Sequence, residues 1–307
     1  MSDRDVPRRT FLALAASGAA AAIAGAPAAA LAGQPRGDED AVSDSPKPAP
    51  TLKLGVASYS LRKLPRDKAI EMIGALRTPW VNIKSVHLPY DLPPEQIAAA
   101  RDEFTRAGLQ IVGGGTITFD KDDDDEVRRY FEYAKAAGMP TIVATTDLPI
   151  LPRIERFAKQ YDIKVAIHNH GPEDKRFPSP YDVLKAVRSM DRRMGLCIDI
   201  GHTVRTGTDV VKAVADAGPR LLDMHVKDLR DLTEKGSQCI VGEGVIPIAE
   251  IFQQLLAMRY GGYVNLEYEI DADDPLPGMK QSFAHMRGVL AGLAASQKPR
   301  PRRVARA

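Results

Sequence analysis

The stretch of residues 164–202 reads KVAIHNHGPED (164–174), then a helical segment, then MGLCIDIGH (194–202). Both apolar runs have the length of a strand. Both end in side chains that can bind a metal or carry a proton. Buried strands that become polar only at their carboxyl ends are typical of a parallel β/α barrel, in which functional residues lie on that rim.

The alternation of side chains along each run predicts which residues share a face. In the first run, His168 and His170 point to one side. In the second run, Cys197 and Asp199 point to one side, and His202 follows in the turn. We therefore expect these polar groups to meet at one end of the sheet.

Two later runs repeat the pattern. RLLDMHVKD (220–228) places Asp223, His225 and Lys227 on one face, and GYVNLEYEI (262–270) does the same for Glu267 and Glu269. Four successive strand ends thus supply two imidazoles and two carboxylates, a donor set for one metal ion: His168, Asp199, His225 and Glu267. Such a mixed set suits Mn²⁺, Co²⁺, Zn²⁺ or Fe²⁺ better than Ca²⁺.

The rest of the chain alternates short apolar runs with amphipathic segments. Four earlier strands are predicted at LKLGVAS (52–58), WVNIKSV (80–86), LQIVGGG (109–115) and TIVATT (141–146). Helices are predicted at residues 65–76, 94–107, 122–137, 151–160, 180–190, 209–217, 247–259 and 277–293. Eight such units predict an α/β fold, a single-domain (β/α)8 TIM barrel over residues 51–293. An open doubly wound sheet is the alternative, but its G-x-G-x-x-G phosphate fingerprint is missing from the first βα turn.

The amino-terminal segment has the features of an export signal. Arg8 and Arg9 precede an Ala-rich apolar stretch that ends at Ala30-Leu31-Ala32. This predicts a twin-arginine signal peptide over residues 1–32, a periplasmic protein and no stable membrane insertion after cleavage. An uncleaved anchor is the alternative. Residues 33–50 are predicted to be a flexible linker, and residues 294–307 a basic disordered tail.

Charge and cysteine content limit the classes of function. The chain of 307 residues has a net charge of +2, and residues 298–306 contribute five positive charges, so the body is slightly acidic. This body lacks the broad positive surface that nucleic-acid binding requires. Two cysteines, Cys197 and Cys239, cannot form a disulfide framework, and both are expected to be free thiols.

The remaining polar side chains on the predicted rim have more than one possible role. We expect His170 and His202 to take part in catalysis, with a structural role as the alternative. His170 is also the alternative to His168 as a ligand, and Glu269 the alternative to Glu267.

Other side chains on the rim are predicted to contact the substrate: Lys84, His87, Lys227 and Glu269. Lys84 faces inward with Asn82 and suits a substrate oxygen. Arg205 and Glu173 are predicted to be ordinary loop charges.

Five segments together resemble a known family: VAIHNHGPED, GLCIDIGHT, LLDMHVKD, VGEG and VNLEYE. From about residue 52 to residue 290 the chain is similar to the xylose isomerase-like TIM barrels, the group called sugar phosphate isomerases/epimerases. In related ketose epimerases the metal ligands run Glu, Asp, His, Glu. The resemblance places them on His168, Asp199, His225 and Glu267, with histidine replacing the first glutamate.

This replacement affects the expected chemistry. The two glutamates of those epimerases also form the acid/base pair, so Glu267 is the only carboxylate of that pair left here. The resemblance implies a divalent-metal-dependent isomerase or epimerase of a sugar or keto-sugar, which removes a proton next to a carbonyl through a metal-stabilised enediolate. The segment HNHGPE resembles a subgroup associated with keto-sugar chemistry, including lyases that act on 3-keto-glycosides, so a keto-glycoside lyase or hydratase is the alternative.

Two further classes share the fold. An apurinic-site endonuclease needs a multi-zinc cluster and a basic surface, and six histidines with a slightly acidic body argue against it. The second class is a barrel that binds a sugar without catalysing a reaction. The expected partner is a small carbohydrate and not a nucleic acid, and the sequence leaves a homo-oligomer open.

Overall fold

Eight parallel strands close into a barrel in the computed structural model, which describes residues 51–296. The barrel strands are β1 (Lys53–Ala57), β2 (Trp80–Ile83), β3 (Gln110–Phe119), β4 (Thr141–Thr146), β5 (Lys164–His168), β6 (Met194–Asp199), β7 (Leu221–Val226) and β10 (Tyr263–Leu266). They follow one another around the barrel in chain order, and β10 pairs with β1 to close it. The predicted (β/α)8 barrel is confirmed.

Helices connect the strands on the outside. Over the described residues they are α1 (Arg66–Ala75), α2 (Pro94–Arg106), α3 (Asp124–Ala136), α4 (Leu151–Tyr161), α5 (Pro180–Val187), α6 (Ile200–Arg205), α7 (Val210–Ala217), α8 (Ile248–Ala257) and α9 (Leu276–Ser296). Buried aromatic side chains fill the layer between neighbouring helices, for example Phe131 and Phe157, whose rings lie 5.9 Å apart. The apolar core therefore lies mainly between helices and strands.

Two elements were not predicted from the sequence. The short helix α6 follows β6 directly, where a turn was expected, because the Asp199 carboxylate accepts a hydrogen bond from the backbone N–H of His202 and caps the helix. In the long loop after β7, β8 (Asp228–Leu229) pairs with β9 (Gln238–Cys239) in an antiparallel ladder.

The structure describes only part of the segments predicted at the two ends of the chain. The predicted signal peptide and linker lie outside the described residues, and so does most of the predicted tail. The last helix, predicted to end at residue 293, continues to Ser296. Within the described part, no helix is both long enough and apolar enough to cross a bilayer.

Candidate metal centre and active site

Four buried side chains converge at the carboxyl ends of β5, β6, β7 and β10. One nitrogen or oxygen atom from each of His168, Asp199, His225 and Glu267 lies within 4.8 Å of the others. His168 Nε2 is 3.2 Å from His225 Nδ1 and 3.6 Å from Asp199 Oδ2. Glu267 Oε2 is 3.2 Å from His225 Nδ1. The structure thus brings together the four residues that the sequence indicated as ligands.

Strand register explains this convergence. Asp199 pairs with His225 across β6 and β7, and Asn265 pairs with His225 across β7 and β10. Glu267 lies two residues beyond Asn265 and so points to the same face, one step closer to the rim. Glu267 also extends the ladder, because its N–H donates to the carbonyl of Val226 at 2.9 Å.

Asp199 uses its two oxygens differently. Oδ1 accepts a hydrogen bond of 2.8 Å from the His202 N–H at the start of α6. Oδ2 faces the cluster and has no hydrogen-bond partner among the described residues. The capping role therefore fixes the carboxylate and leaves one oxygen for a cation.

Lys227 lies among the carboxylates. Its side chain is 4% exposed, and Nζ is 3.0 Å from Asp199 Oδ2, 3.0 Å from Glu267 Oε2 and 2.7 Å from Glu269 Oε2. Burial disfavours its charged form, but the three carboxylates outweigh burial and raise the pKa of Lys227 well above its usual value. Lys227 is therefore a buried cation in the centre of the site.

The pKa values of the two carboxylates shift in the opposite direction to that of Lys227. Burial alone would raise the pKa of Asp199 and of Glu267. The positive charge of Lys227 and the neighbouring histidines outweigh burial and hold both pKa values well below the usual carboxylate range. Both groups are ionised near neutral pH, as metal ligation requires.

The histidines of the site differ in charge. Burial is the main cause that lowers the pKa of His168, His170 and His202 to about 4, so their imidazoles are neutral near pH 7. Burial would also lower the pKa of His225, but Cys197 and Glu267 outweigh it and raise that pKa well above its usual value. The site thus holds three neutral imidazoles with a free lone pair each, whereas His225 must release a proton when it binds a metal.

His170 and His202 form the outer wall. The His170 ring lies 4.5 Å from the ring of His168 and 5.3 Å from that of His202. The His170 side chain is 41% exposed, whereas His202 Nδ1 is buried without a hydrogen-bond partner. His170 thus faces the side from which a substrate would enter.

Lys84 is half-buried and lies close enough to Glu267 and Glu269 for their charges to affect it. Its Nζ donates to the carbonyl of Thr116 at 3.3 Å and lies 5.4 Å from the ring centre of Tyr59. Burial lowers the pKa of Lys84, although Glu267 and Glu269 raise it. This position agrees with a contact to substrate.

His87 does not belong to the site. It is 1% exposed, its Nδ1 lies 2.9 Å from Ser58 Oγ, and its Nε2 lies 3.2 Å from the carbonyls of Leu61 and Leu64. Both ring nitrogens are thus already hydrogen-bonded. The prediction that His87 binds substrate is corrected: the chain turns after β2 and carries the imidazole behind the rim.

Arg205 and Glu173 are also not ordinary loop charges. The Arg205 side chain is 4% exposed and pairs with Glu173, while its Nε and Nη1 atoms are buried without partners. Arg205 lies three residues after His202, a spacing that places both side chains on one face of a helix. The sequence predicted a turn rather than a helix here, so the inward position of Arg205 was not predicted.

The donor set fits a divalent transition metal. Two nitrogens held at about 2.0 Å by one tetrahedral ion lie roughly 3.3 Å apart, close to the separation of His168 Nε2 and His225 Nδ1. The oxygen ligands are Asp199 Oδ2, which accepts no hydrogen bond but is ion-paired with Lys227, and the ionised Glu267. Mixed nitrogen and oxygen donors suit Zn²⁺, Mn²⁺, Co²⁺ or Fe²⁺.

Cavity size alone does not locate this cluster. A cavity of about 720 Å³ opens at the amino-terminal end of the barrel, next to Leu222, Tyr260 and Tyr263. None of the four ligand candidates lines it. The chemistry of the donors, not the volume, identifies the functional end of the barrel.

Comparison with known proteins agrees with the architecture. A family model described as xylose isomerase-like TIM barrel matches residues 68–289. The chain belongs to this family. The resemblance to the xylose isomerase-like TIM barrels, inferred from five segments, is confirmed.

Three relatives illustrate the range of the family. An inosose dehydratase of Clostridium beijerinckii is 26% identical over 136 residues, 39% of this chain and 45% of that protein. The chain spans less than half the length of the curated relatives it matches. The crystal structure of IOLI protein with a bound zinc atom has a TM-score of 0.66 at 15% identity and covers 78% of this chain and 99% of that one. The 3-keto-D-glucoside 4-epimerase of E. coli has a TM-score of 0.62 at 16% identity, covering 78% and 100%. At these identities the structural likeness shows the fold.

Proposed function

We propose that the protein is a divalent-metal-dependent enzyme that removes a proton next to the carbonyl of a sugar or keto-sugar, as an isomerase or epimerase. The observation that carries the proposal is the convergence of two imidazoles, two carboxylates and Lys227 at the functional rim of the barrel. The family supports it, because relatives are named as an inosose dehydratase and a 3-keto-D-glucoside 4-epimerase.

The metal would be held by His168, Asp199, His225 and Glu267. A divalent ion there would polarise the substrate carbonyl and stabilise the negative charge of an enediolate. The zinc atom in the structure of IOLI protein, which has the same fold, supports a bound metal in this protein.

The protein's own groups carry the proton. Glu267 is ionised and can accept a proton from the carbon beside the carbonyl. His170 and His202 are neutral, so either can take up a proton and, once protonated, return it to a different carbon or face. Lys84, Lys227 and Glu269 would hold substrate oxygens.

Elimination is the second candidate, and a specific observation favours it. Histidine stands at the first ligand position, so the site has one glutamate where epimerases of the family have a pair. A single carboxylate base, with no second carboxylate to return the proton to the other face, suits loss of a β-hydroxyl or β-glycosidic group. Two curated relatives are named inosose dehydratase, which agrees with this outcome.

Metal analysis and isotope exchange test the proposal. The purified protein and its His225→Ala variant are analysed for metal by mass spectrometry, and we expect about one ion per chain that the variant loses. The metal-loaded protein is then incubated in D₂O with keto-sugars and 3-keto-glycosides. A product that has taken up deuterium but lost no other atoms of the substrate indicates isomerisation or epimerisation. A product that has lost water or the aglycone indicates elimination. Absence of metal after reconstitution would refute the proposal.

We also propose that residues 1–32 export the protein to the periplasm. The twin arginines at positions 8 and 9, followed by the Ala-rich stretch, support this. Cell fractionation of the protein and of an Arg8→Lys/Arg9→Lys double variant tests it. The variant should remain in the cytoplasm, and an unchanged distribution would refute the export route.

A further inference from the structure

Cys197 lies directly beneath the proposed metal centre. It points into the barrel from β6, on the same face as Asp199 and one step deeper, and it is fully buried. The register between β5 and β6 places it opposite His168. Its Sγ atom and one nitrogen each of His168 and His225 lie within 4.8 Å of one another. The same two histidines therefore belong to two donor sets, an outer one with carboxylates and an inner one with a thiol.

We propose that Cys197, His168 and His225 form an inner metal position that takes a thiophilic divalent ion such as Zn²⁺ or Co²⁺. This inference rests on the proposed function, since it names which metal the site selects. Sulfur donors favour Zn²⁺ and Co²⁺ over Mn²⁺ and Mg²⁺, which prefer oxygen. The carboxylates alone would not provide this selectivity.

An unpartnered histidine nitrogen supports the inner position independently. His225 is 1% exposed, and its Nδ1 faces His168 and Glu267 in the outer set. The second nitrogen, Nε2, lies on the other side of the ring and has no hydrogen-bond partner among the described residues. It diverges from Nδ1 and so from Glu267, and one nitrogen of this ring lies within 4.8 Å of Cys197 Sγ. Buried nitrogens without partners are rare in folded proteins and call for a ligand or a proton partner.

Lys227 approaches the outer donor set and not the inner one, so a metal shares the outer carboxylates with this ammonium. Its ammonium lies 3.0 Å from Asp199 Oδ2 and 3.0 Å from Glu267 Oε2, the two oxygens of the outer set. A metal between those oxygens would meet a positive charge at close range. In the described part of the chain, no lysine or arginine is hydrogen-bonded to Cys197, His168 or His225.

A further acid lies below the inner position. Asp223 pairs with Cys197 across β6 and β7 and points into the barrel. Asn82 and Asn265 donate hydrogen bonds to its two oxygens at 2.6 and 2.8 Å and hold it in place. These contacts leave the Asp223 carboxylate as a fixed polar neighbour that favours a cation above it.

The coordination step is balanced without a redox partner. As the ion binds, metal–sulfur and metal–nitrogen bonds form, the S–H bond of Cys197 and one N–H bond of His225 break, and both protons leave to solvent. Neither the sulfur nor the ion changes oxidation state. The thiolate then stays neutralised by the bound ion.

Cobalt spectroscopy tests the inference. The metal-free protein is titrated with Co²⁺, and the sulfur-to-cobalt charge-transfer band in the near ultraviolet is recorded beside the visible d–d bands. We expect the charge-transfer band in the wild-type protein and in Cys239→Ser, a matched control because Cys239 is also buried and free but lies in β9. We expect Cys197→Ser to lose the band while the d–d bands remain.

Metal affinity provides a second readout. Cys197→Ser should bind Zn²⁺ roughly 10-fold or more weakly, with Mn²⁺ affinity changed less than about 2-fold. If Cys197→Ser does not fold, Cys197→Ala is used. Cobalt binding without a charge-transfer band in the wild type, or an equal band in the variant, overturns the inner position and leaves the proposed function intact. Failure to bind any metal overturns both.

Discussion

Lys227 Nζ lies 3.0 Å from Asp199 Oδ2, an oxygen that also belongs to the proposed metal-ligand set. Without a metal, this buried ammonium neutralises the carboxylates of the site. When a metal binds, Lys227 must share these carboxylates with it. Glu269 Oε2, at 2.7 Å, gives Lys227 a third partner that is not a ligand candidate. Metal affinity and stability of the metal-free protein are therefore coupled through one side chain.

We expect Lys227→Met to have opposite effects on these two properties. Removing the ammonium leaves buried carboxylates unpaired, so the unfolding free energy of the metal-free variant should fall by about 3 kcal/mol. Divalent-metal affinity should rise about 10-fold or more, because a competing charge is lost. Thermal unfolding with and without Zn²⁺ measures both effects, with exposed Lys63→Met as the control. Weaker metal binding in Lys227→Met would contradict this account.

Glu267 and Glu269 are distinguished by a matched pair of variants. Glu267 contacts His225 and is expected to be both ligand and proton acceptor, so Glu267→Gln should lose metal and reduce solvent deuterium exchange by roughly 10²–10⁴-fold. Glu269 touches Lys227 but no ligand histidine, so Glu269→Gln should retain metal and mainly raise KM. Metal content and the kinetics of deuterium exchange are measured for both variants to test these two roles. The reverse order of effects would exchange the two roles.

Gly171 fits closely between two side chains of α6. Its φ is +86°, and a Cβ there would lie 3.2 Å from Arg205 Nη1 and 3.2 Å from His202 Nδ1. We expect Gly171→Ala to lower the unfolding free energy by about 1–2 kcal/mol. It should also lower kcat/KM by roughly 10-fold or more, because the loop that carries His170 must shift.

Gly207→Ala is the control for this variant. Gly207 has a similar φ of +73° and nothing within 4 Å of its added Cβ. It should lose similar stability and keep its activity. Equal kcat/KM for the two variants would show that the fit against His202 and Arg205 does not matter for catalysis.

The sequence predicted that the four ligand candidates converge, because this convergence depends on strand periodicity. Alternation along β5, β6 and β7, together with the carboxyl ends of parallel strands, was enough to place His168, Asp199 and His225. Strand register could be guessed from the position of the first polar residue in each run. The ligands needed no knowledge of loop structure.

Groups beyond the strand ends were harder to predict, since their direction depends on how the chain turns. His87 follows β2 by four residues and is turned behind the rim, whereas Arg205 is turned inward by α6. The helix itself was not predicted because its start depends on Asp199, which was interpreted first as a ligand, with a salt bridge or an N-cap as the alternative. Lys227 was placed on the correct face, but its contact with three carboxylates follows from the barrel closure.

The structural role of His87 predicts a pH dependence of stability. Burial lowers the pKa of His87 below its ordinary value of 6.5, and neutral His87 accepts from Ser58 and donates to backbone carbonyls. Between the folded and unfolded pKa values the unfolded chain binds more protons, so this stability is full above about pH 6.5 and is lost as the pH falls below it. At pH 7.5, His87→Asn should lose about 2 kcal/mol of unfolding free energy through lost buried hydrogen bonds, and its stability should change less between pH 6.5 and 5. Denaturant unfolding across that range measures both, with kcat and KM recorded beside it. A raised KM with unchanged stability would return His87 to the substrate site.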